Sequence, residues 1–166
     1  MESTATGDAH GIGLFAQKKF GASPFYGQIS ASLNRTRFTG TDGTARTGAF
    51  DSPVTTNAVV GWRPKSRWEV ATRLRGASGL PYTPLVNSGA LAGTLDFMHY
   101  NSRRVETFIA THLRVDRRFI MGRRQLIAFL DLQNFTNRQN QQAPQWDPRM
   151  RTVKDNTNIG LLPRLA

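Results

Sequence analysis

The chain has 166 residues, with 22 Lys plus Arg, 11 Asp plus Glu and no cysteine, so its formal net charge is +11. This length suits one domain of ordinary size, and the lack of cysteine excludes disulfide scaffolds and thiolate metal sites. No apolar run approaches the roughly 18 residues of a membrane-spanning helix. A strongly basic chain is typical of nucleic-acid binders, so that class is the first hypothesis to weigh.

Apolar and polar residues alternate along most of the chain. The clearest stretch begins at Phe25, where odd positions are apolar and even positions polar for about ten residues, a pattern typical of a half-buried strand. Residues 86–106 and 136–157 are rich in Gly, Asn, Gln, Asp and Pro, which predicts loops, and the polar residues 1–10 are predicted to lack regular structure. We predict six full strands, at residues 11–20, 24–38, 54–62, 68–78, 107–119 and 125–135.

The predicted connections alternate in length. Short turns follow the first, third and fifth strands, and long loops follow the second, fourth and sixth. Bacterial outer-membrane barrels have this arrangement, with short periplasmic turns and long extracellular loops. A tilted strand of about eleven residues also spans their apolar band of about 25 Å. The sequence therefore predicts an all-β fold, an antiparallel up-and-down meander from a transmembrane outer-membrane β-barrel.

Aromatic residues flank all three short turns. Aromatic side chains gathered at one level of a barrel form a girdle at the membrane interface, although aromatic residues also end strands in other β proteins. The predicted periplasmic girdle consists of Phe20, Phe25, Tyr26, Trp62, Trp68 and Phe119.

Charged residues on the predicted strands share one face. In the last hairpin, pairing Phe119 with Leu126 sets Arg114 opposite Asp131, and a slip of one residue would move these charges into lipid. Such side chains either guide a solute and hold a plug, or simply make a satisfied polar wall. The predicted lumen-facing polar residues are Arg73, Arg75, His112, Arg114, Asp131 and Gln133.

The third–fourth hairpin and the loops carry further predictions. Pairing Trp62 with Trp68 would place Asn57 beside Arg73. Arginines in the long loops could bind lipopolysaccharide phosphates or an anionic ligand, or could simply be solvated. These loop arginines are Arg46, Arg103, Arg104, Arg138, Arg149 and Arg151.

Several short segments, in this order, resemble the C-terminal barrel of TonB-dependent outer-membrane receptors, especially the carboxypeptidase-regulatory-like branch. The most specific is residues 78–84 (SGLPYTP), which is similar to a recurrent segment of that family. The other matching segments are residues 7–14 (GDAHGIGL), 17–21 (QKKFG), 116–119 (DRRF), 129–137 (FLDLQNFTN), 145–148 (QWDP) and 161–163 (LLP).

The resemblance implies that residues 1–166 are the C-terminal part of a receptor barrel domain, with the plug domain and the final strand missing. Residues 158–166 look like the start of the closing strand. The family's activity is uptake of a scarce nutrient, such as a siderophore, vitamin or glycan, with energy coupled through TonB. The implied partners are outer-membrane lipid, lipopolysaccharide, the TonB complex through the missing plug, and a small nutrient ligand.

The resemblance further implies a location in the outer membrane of a Gram-negative bacterium, no cofactor, no nucleic-acid partner and no enzymatic activity. No catalytic or metal-binding motif stands out in the sequence. Two alternatives stay open. One is a soluble, basic all-β nucleic-acid-binding protein, and the other is a small complete outer-membrane barrel.

Overall fold

A computed structural model describes residues 5–165 and shows an all-β chain. The residues outside this range include Ala166, the last residue of the predicted closing segment. The strands are β1 (Thr6–Lys18), β2 (Phe25–Thr39), β3 (Ala45–Thr47), β4 (Val54–Lys65), β5 (Trp68–Ala77), β6 (Pro81–Tyr82), β7 (Arg103–Arg104), β8 (Phe108–Met121), β9 (Arg124–Gln133), β10 (Gln141–Asp147), β11 (Thr152–Thr157) and β12 (Leu162–Leu165).

The main sheet is an antiparallel meander, as predicted. Its strands lie in the order β1-β2-β4-β5-β8-β9-β12, and β3 adds three residues beside β2. The short and long connections alternate as expected, so one end of the sheet carries tight turns and the other carries the long loops. Within residues 5–165 the sheet is open, and β1 and β12 are its edges.

The six predicted strands all exist, with shifted ends. The largest shift is in β1, which begins at Thr6, so residues 6–10 of the segment predicted to be irregular are paired with β2, and residues 1–4 of that segment lie outside the described range. Pairing explains the difference, because ladder hydrogen bonds to β2 hold polar residues such as Asp8 and His10 in extended conformation. The predicted closing segment contributes β12, which pairs with β9 through residues 162–165.

The two segments predicted as loops contain secondary structure of their own. β10 and β11 form a separate two-stranded sheet within residues 136–157, and β7 pairs with β6. A single 3₁₀ turn, Phe97–His99, is the only helix among the described residues, and it is too short to cross a membrane. These strands have only two to seven residues each, which is why the alternation that reveals longer strands does not mark them.

The register of the β8–β9 hairpin agrees with the prediction. Phe119 faces Leu126, and Arg114 faces Asp131. Only Gly122 and Arg123 separate the strands, and Gly122 has a φ of 60°. A positive φ at the first of two turn residues is what a type II′ hairpin turn requires, so the turn itself fixes the register.

The register of the β4–β5 hairpin differs from the prediction by two residues. Trp62 faces Val70 rather than Trp68, and Asn57 faces Arg75 rather than Arg73. The strand continues through the predicted turn to Lys65, with a bulge between Trp62 and Lys65. Pro64 lies in this bulge, where its lack of an N–H group removes no regular ladder bond.

The described residues enclose almost no core. The nearly covered apolar side chains among them are Ala110, at 7% exposed, and Pro81, and no large side chain is fully buried. The accessible surface is 12278 Å². A compact soluble protein of this mass, 18.5 kDa, would expose only about 8,200 Å². The main sheet is therefore a single layer with both faces open.

The β4–β5 register can be tested by cross-linking, because the chain has no cysteine of its own. We expect the pair Asn57→Cys and Arg75→Cys to form a disulfide readily under mild oxidation. Residues directly opposite in an antiparallel pair have Cα atoms about 4.5–5.5 Å apart, within disulfide range. The matched pair Asn57→Cys and Arg73→Cys should stay largely reduced, and preferential cross-linking of that pair would restore the register predicted from sequence.

Candidate functional site

The main sheet has one face without charge through its middle. We call it the apolar face, and it extends over nine residues of each of three strands, from Phe25 to Leu33, from Val54 to Trp62 and from Trp68 to Gly76. Side chains alternate between faces along a strand, so every second residue of these segments belongs to it. Its members are Phe25, Gly27, Ile29, Ala31, Leu33, Val54, Thr56, Ala58, Val60, Trp62, Trp68, Val70, Thr72, Leu74 and Gly76.

Charged residues bound the apolar face at both ends. At the long-loop end, Asp8 lies opposite Arg37 and His10 lies opposite Arg35 in the strand register, directly beyond Ile12 and Leu33. At the turn end, Arg117 is the first charged residue on this face of β8. The apolar face is thus a band that continues across β2, β4 and β5 and ends at charged residues in both directions along the strands.

Four of the six predicted girdle residues lie at the turn end of the apolar face. Phe25 and Trp62 face each other in the register and stack with ring centroids 6.2 Å apart. The guanidinium of Arg117 lies 4.9 Å from the centroid of Trp68 and 4.8 Å from that of Phe119. Aromatic rings and a cation therefore share one level of the sheet, where a cation–π contact stabilises the arrangement.

Tyr26 and Phe20 do not join that group, which corrects the predicted girdle. Tyr26 lies on the opposite face, which we call the polar face, because it follows Phe25 directly in the strand. Its ring covers Gly61, the facing residue, where any side chain would collide with it. Phe20 packs edge-on against Tyr26 at 6.3 Å, with the guanidinium of Arg63 4.8 Å from its ring centroid.

A half-buried carboxylate joins four strands at the turn end of the polar face. Glu69 on β5 accepts a hydrogen bond from the Tyr26 hydroxyl of β2 and forms an ion pair with Arg63 of β4. Arg118 of β8 donates to the same carboxylate at 3.0 Å. Only 14% of the Glu69 side chain is exposed, so its charge needs these partners. The sequence prediction missed Glu69, because its partners are scattered from residue 26 to residue 118.

All six predicted lumen-facing residues lie on the polar face around one hollow of about 400 Å³. Three adjoining strands supply them, and cross-strand pairing brings them together: Arg73 faces His112, which faces Gln133, and Arg114 faces Asp131. The full set is Arg73, Arg75, His112, Arg114, Asp131 and Gln133. The wall they line is polar and carries three guanidinium groups for one carboxylate.

The arginines around this hollow differ in how they are neutralised. Arg114 pairs with Asp116 on its own strand at 2.8 Å and lies 4.1 Å from the ring centroid of Phe129. No carboxylate oxygen of residues 5–165 lies within 4.0 Å of the guanidinium of Arg73 or Arg75. Two positive charges therefore face the hollow without an ion pair from the described residues.

A second hollow, of about 540 Å³, lies at the base of the long loops. Apolar groups line most of it, among them Leu80, Pro81, Val105 and Phe108. Arg75 lines both this hollow and the first one. The two hollows are thus neighbours, one mainly apolar and one polar and basic, with a guanidinium group shared between them.

An ion pair between a buried carboxylate and an exposed arginine fixes the loops above these hollows. Asp51 is 3% exposed, accepts a hydrogen bond from the Thr36 N–H at 2.6 Å and pairs with Arg104. Arg104 also donates to the carbonyls of Asp51 and Gly79, at 2.7 and 3.1 Å. Burial by itself would raise the pKa of Asp51, but the Thr36 N–H and the Arg104 guanidinium outweigh burial and hold that pKa below its usual range.

Sequence reasoning did not identify this bracing. The sequence predicts that Arg104 and Arg46 either bind phosphate or an anionic ligand or are solvated, yet each has a partner within the chain, Asp51 and Asp42 respectively. Asn140 is a second missed contact, because its amide both donates to and accepts from the backbone of Ile109 and so extends the ladder of β8. The contacts of Asp51 with Arg104 and of Asn140 with Ile109 join segments that are distant in the sequence, so no local pattern reveals them. Among the described residues, no group of three or more His, Asp or Glu side chains could hold a metal ion.

The substitution Asp51→Asn should loosen residues 79–106. A hydrogen bond to a charged group contributes about 1.5–3 kcal/mol, so we expect amide hydrogen exchange there to accelerate at neutral pH by about tenfold or more. The lowered pKa means that wild-type bracing is complete above the ordinary carboxyl pKa and is lost as pH falls through the lower, folded value. Exchange in the variant should lack this acid transition. The exposed pair Asp42 and Arg46 supplies the control, and equal effects of Asp42→Asn and Asp51→Asn would contradict the bracing role.

Comparisons with known proteins add no relative to this geometry. No protein-family model, curated protein or solved structure matches the chain. The two faces of the sheet, the two hollows and the braced loops are therefore the basis for assigning a function.

Proposed function

We propose that this chain forms part of the wall of an outer-membrane β-barrel, the C-terminal segment of a TonB-dependent receptor that takes up a scarce nutrient. The observation that carries the proposal is the apolar face, which has no charge over nine residues of three neighbouring strands. A transmembrane strand uses about 9–11 residues, so this length suits a tilted crossing. The charged pairs beyond Leu33 and the aromatic residues beside Arg117 would then lie at the two membrane interfaces.

The exposure of the apolar face supports a lipid neighbour. Ile29 is 55% exposed, Val60 is 52% exposed and Leu74 is 45% exposed, and no other element of the described chain covers them. Soluble monomers rarely expose contiguous apolar patches larger than a few hundred Å². The threonines of this face also suit lipid, because the hydroxyls of Thr56 and Thr72 donate to the backbone carbonyls of Gly76 and His112.

The distribution of charge argues against the nucleic-acid alternative. A binder of single-stranded nucleic acid would present aromatic and basic side chains together on one sheet face. Aromatic and basic side chains do meet on the polar face, as at Arg114 and Phe129, but the aromatic cluster of Phe25, Trp62 and Trp68 lies on the apolar face, opposite to Arg73 and Arg75. A membrane barrel accounts for both faces, since its lumen wall is polar and its lipid-facing wall is apolar.

The step from barrel to receptor rests on the resemblance of residues 78–84 and the segments around it. In a receptor, the polar face would border the lumen and the plug, and the braced loops would meet the nutrient outside the cell. Loop cations such as Arg103 and Arg149 could contact lipopolysaccharide phosphates. TonB would act through the plug, as the resemblance implies.

Two adjacent residues of β2 test the membrane assignment directly. Gln28 and Ile29 are both exposed, but Ile29 is at the centre of the apolar face and Gln28 is on the polar face. We expect Ile29→Arg to destabilise the protein refolded in phospholipid vesicles by about 2–4 kcal/mol in urea titrations, because an arginine at the bilayer midplane is costly. Gln28→Arg introduces the same side chain one position away and should change stability by less than about 0.5 kcal/mol. Similar small effects for both variants would exclude a lipid-facing role.

Fractionation of cells tests the location. We expect the protein expressed from its complete gene to be recovered with the outer membrane and to need detergent for extraction, because no element within residues 5–165 covers the apolar face. Immunodetection of the separated membrane and soluble fractions gives the distribution. Recovery as a soluble monomer without detergent would reject the membrane barrel, and retention of that monomer on single-stranded nucleic acid would favour the alternative.

A further inference from the structure

We propose that the two neighbouring hollows form one binding site for a small organic anion, with its acidic group at Arg73 and Arg75 and its apolar body at the base of the long loops. This inference rests on the proposed function and adds a substrate class to it. The expected ligand has a carboxylate or a similar oxyanion joined to an apolar or aromatic group. We expect a molecule with only one of these two groups to bind poorly.

The anionic half of the site follows from which arginines are already paired. The carboxylates of Glu69 and Asp116 on the polar face are taken by Arg63, Arg118 and Arg114. Asp131 faces Arg114 and accepts a weak hydrogen bond, 3.5 Å long, from Gln133. Arg73 and Arg75 have no such partner among the described residues, as noted above. A guanidinium group is a planar donor that suits an oxyanion, so these two arginines supply the free donors of the hollow.

The spacing of the two arginines suits a single acidic group. Arg73 and Arg75 are two residues apart on one strand, so they point to the same side and their Cα atoms are about 7 Å apart. Their facing residues on β8 are His112 and Ala110. Two long side chains at this spacing can converge on one carboxylate.

The apolar half follows from the position of Arg75. It lines both hollows, and its guanidinium lies 6.0 Å from the ring centroid of Phe108, on the side of the loop base. Beyond Phe108 the second hollow is bordered by Leu80, Pro81 and Val105. A ligand that holds its charge at Arg75 would therefore lay its apolar part against these residues. The volume of the second hollow, about 540 Å³, is within the range of small-molecule sites.

Three probes separate the two halves of the site. The first, 2-naphthoate, carries both an anion and an apolar body, naphthalene-2-methanol keeps the body without the charge, and inorganic phosphate is an anion without the body. Equilibrium dialysis of the full-length protein in dodecyl maltoside, against micelles without protein, would measure binding. We expect 2-naphthoate to bind at least about tenfold more tightly than either other probe. If the wild-type protein bound naphthalene-2-methanol as tightly as 2-naphthoate, the proposal would be overturned without any variant.

Matched variants locate the site. We expect Arg75→Gln and Arg73→Gln each to weaken 2-naphthoate binding by about tenfold or more, since each removes a charged donor. Arg123→Gln makes the same change of charge in the short turn at the opposite end of the sheet and should have no effect. Leu80→Ala should weaken 2-naphthoate binding several-fold and leave phosphate binding unchanged. Unchanged affinity in Arg75→Gln, or an equal loss in Arg123→Gln, would refute the site.

Failure of this inference is distinguishable from failure of the proposed function. Membrane recovery and the contrast between Ile29→Arg and Gln28→Arg report on the barrel and do not depend on any ligand. If the protein passes those tests but the wild type binds 2-naphthoate no more tightly than Arg75→Gln does, the barrel assignment stands and the binding site is rejected.

Discussion

The period of two along each strand is the constraint on which this structure depends. Through the band formed by β2, β4 and β5, any charged side chain must lie on the polar face, because the apolar face has no charge over nine residues of each of these strands. A slip of one residue in β5 would move Glu69, Arg73 and Arg75 together to the apolar face. The carboxylate cluster, the hollow and the apolar band are therefore consequences of one register.

Polar groups stabilise the two ends of the sheet in different ways. At the turn end, Glu69 joins β2, β4, β5 and β8 on the polar face, so the hairpins are cross-linked to one another. At the loop end, Asp51 and Arg104 join two loops that are more than 50 residues apart in the chain. Between these two ends, the strands are held together by the backbone hydrogen bonds of the sheet. The long loops consequently start from a fixed base, which is where the second hollow lies.

The sequence predicted the parts of this arrangement that depend on local pattern. Alternation located six strands, and the tight turn at Gly122 made the β8–β9 register predictable, including the pairing of Arg114 with Asp131. The bulge at Pro64 shifts the β4–β5 register by two residues. A shift of two keeps every side chain on the same face, so alternation cannot detect it. Tyr26 was assigned to the aromatic level although its position next to Phe25 already required the opposite face. The partners of Glu69, Asp51 and Asn140 come from distant segments, and no local signal identifies them.

The near absence of a core changes how substitutions in this protein should be judged. In a compact domain, truncating a large apolar side chain leaves a cavity whose walls cannot close, and that cavity carries much of the cost. Leu74 or Val60, on a single-layer sheet, has no rigid wall opposite it, so in the proposed barrel fluid lipid would move into the vacated space. Tolerance in that setting would be set by polarity far more than by volume, and a half-exposed residue of the apolar face would be one that the chain could not exchange for a charged one.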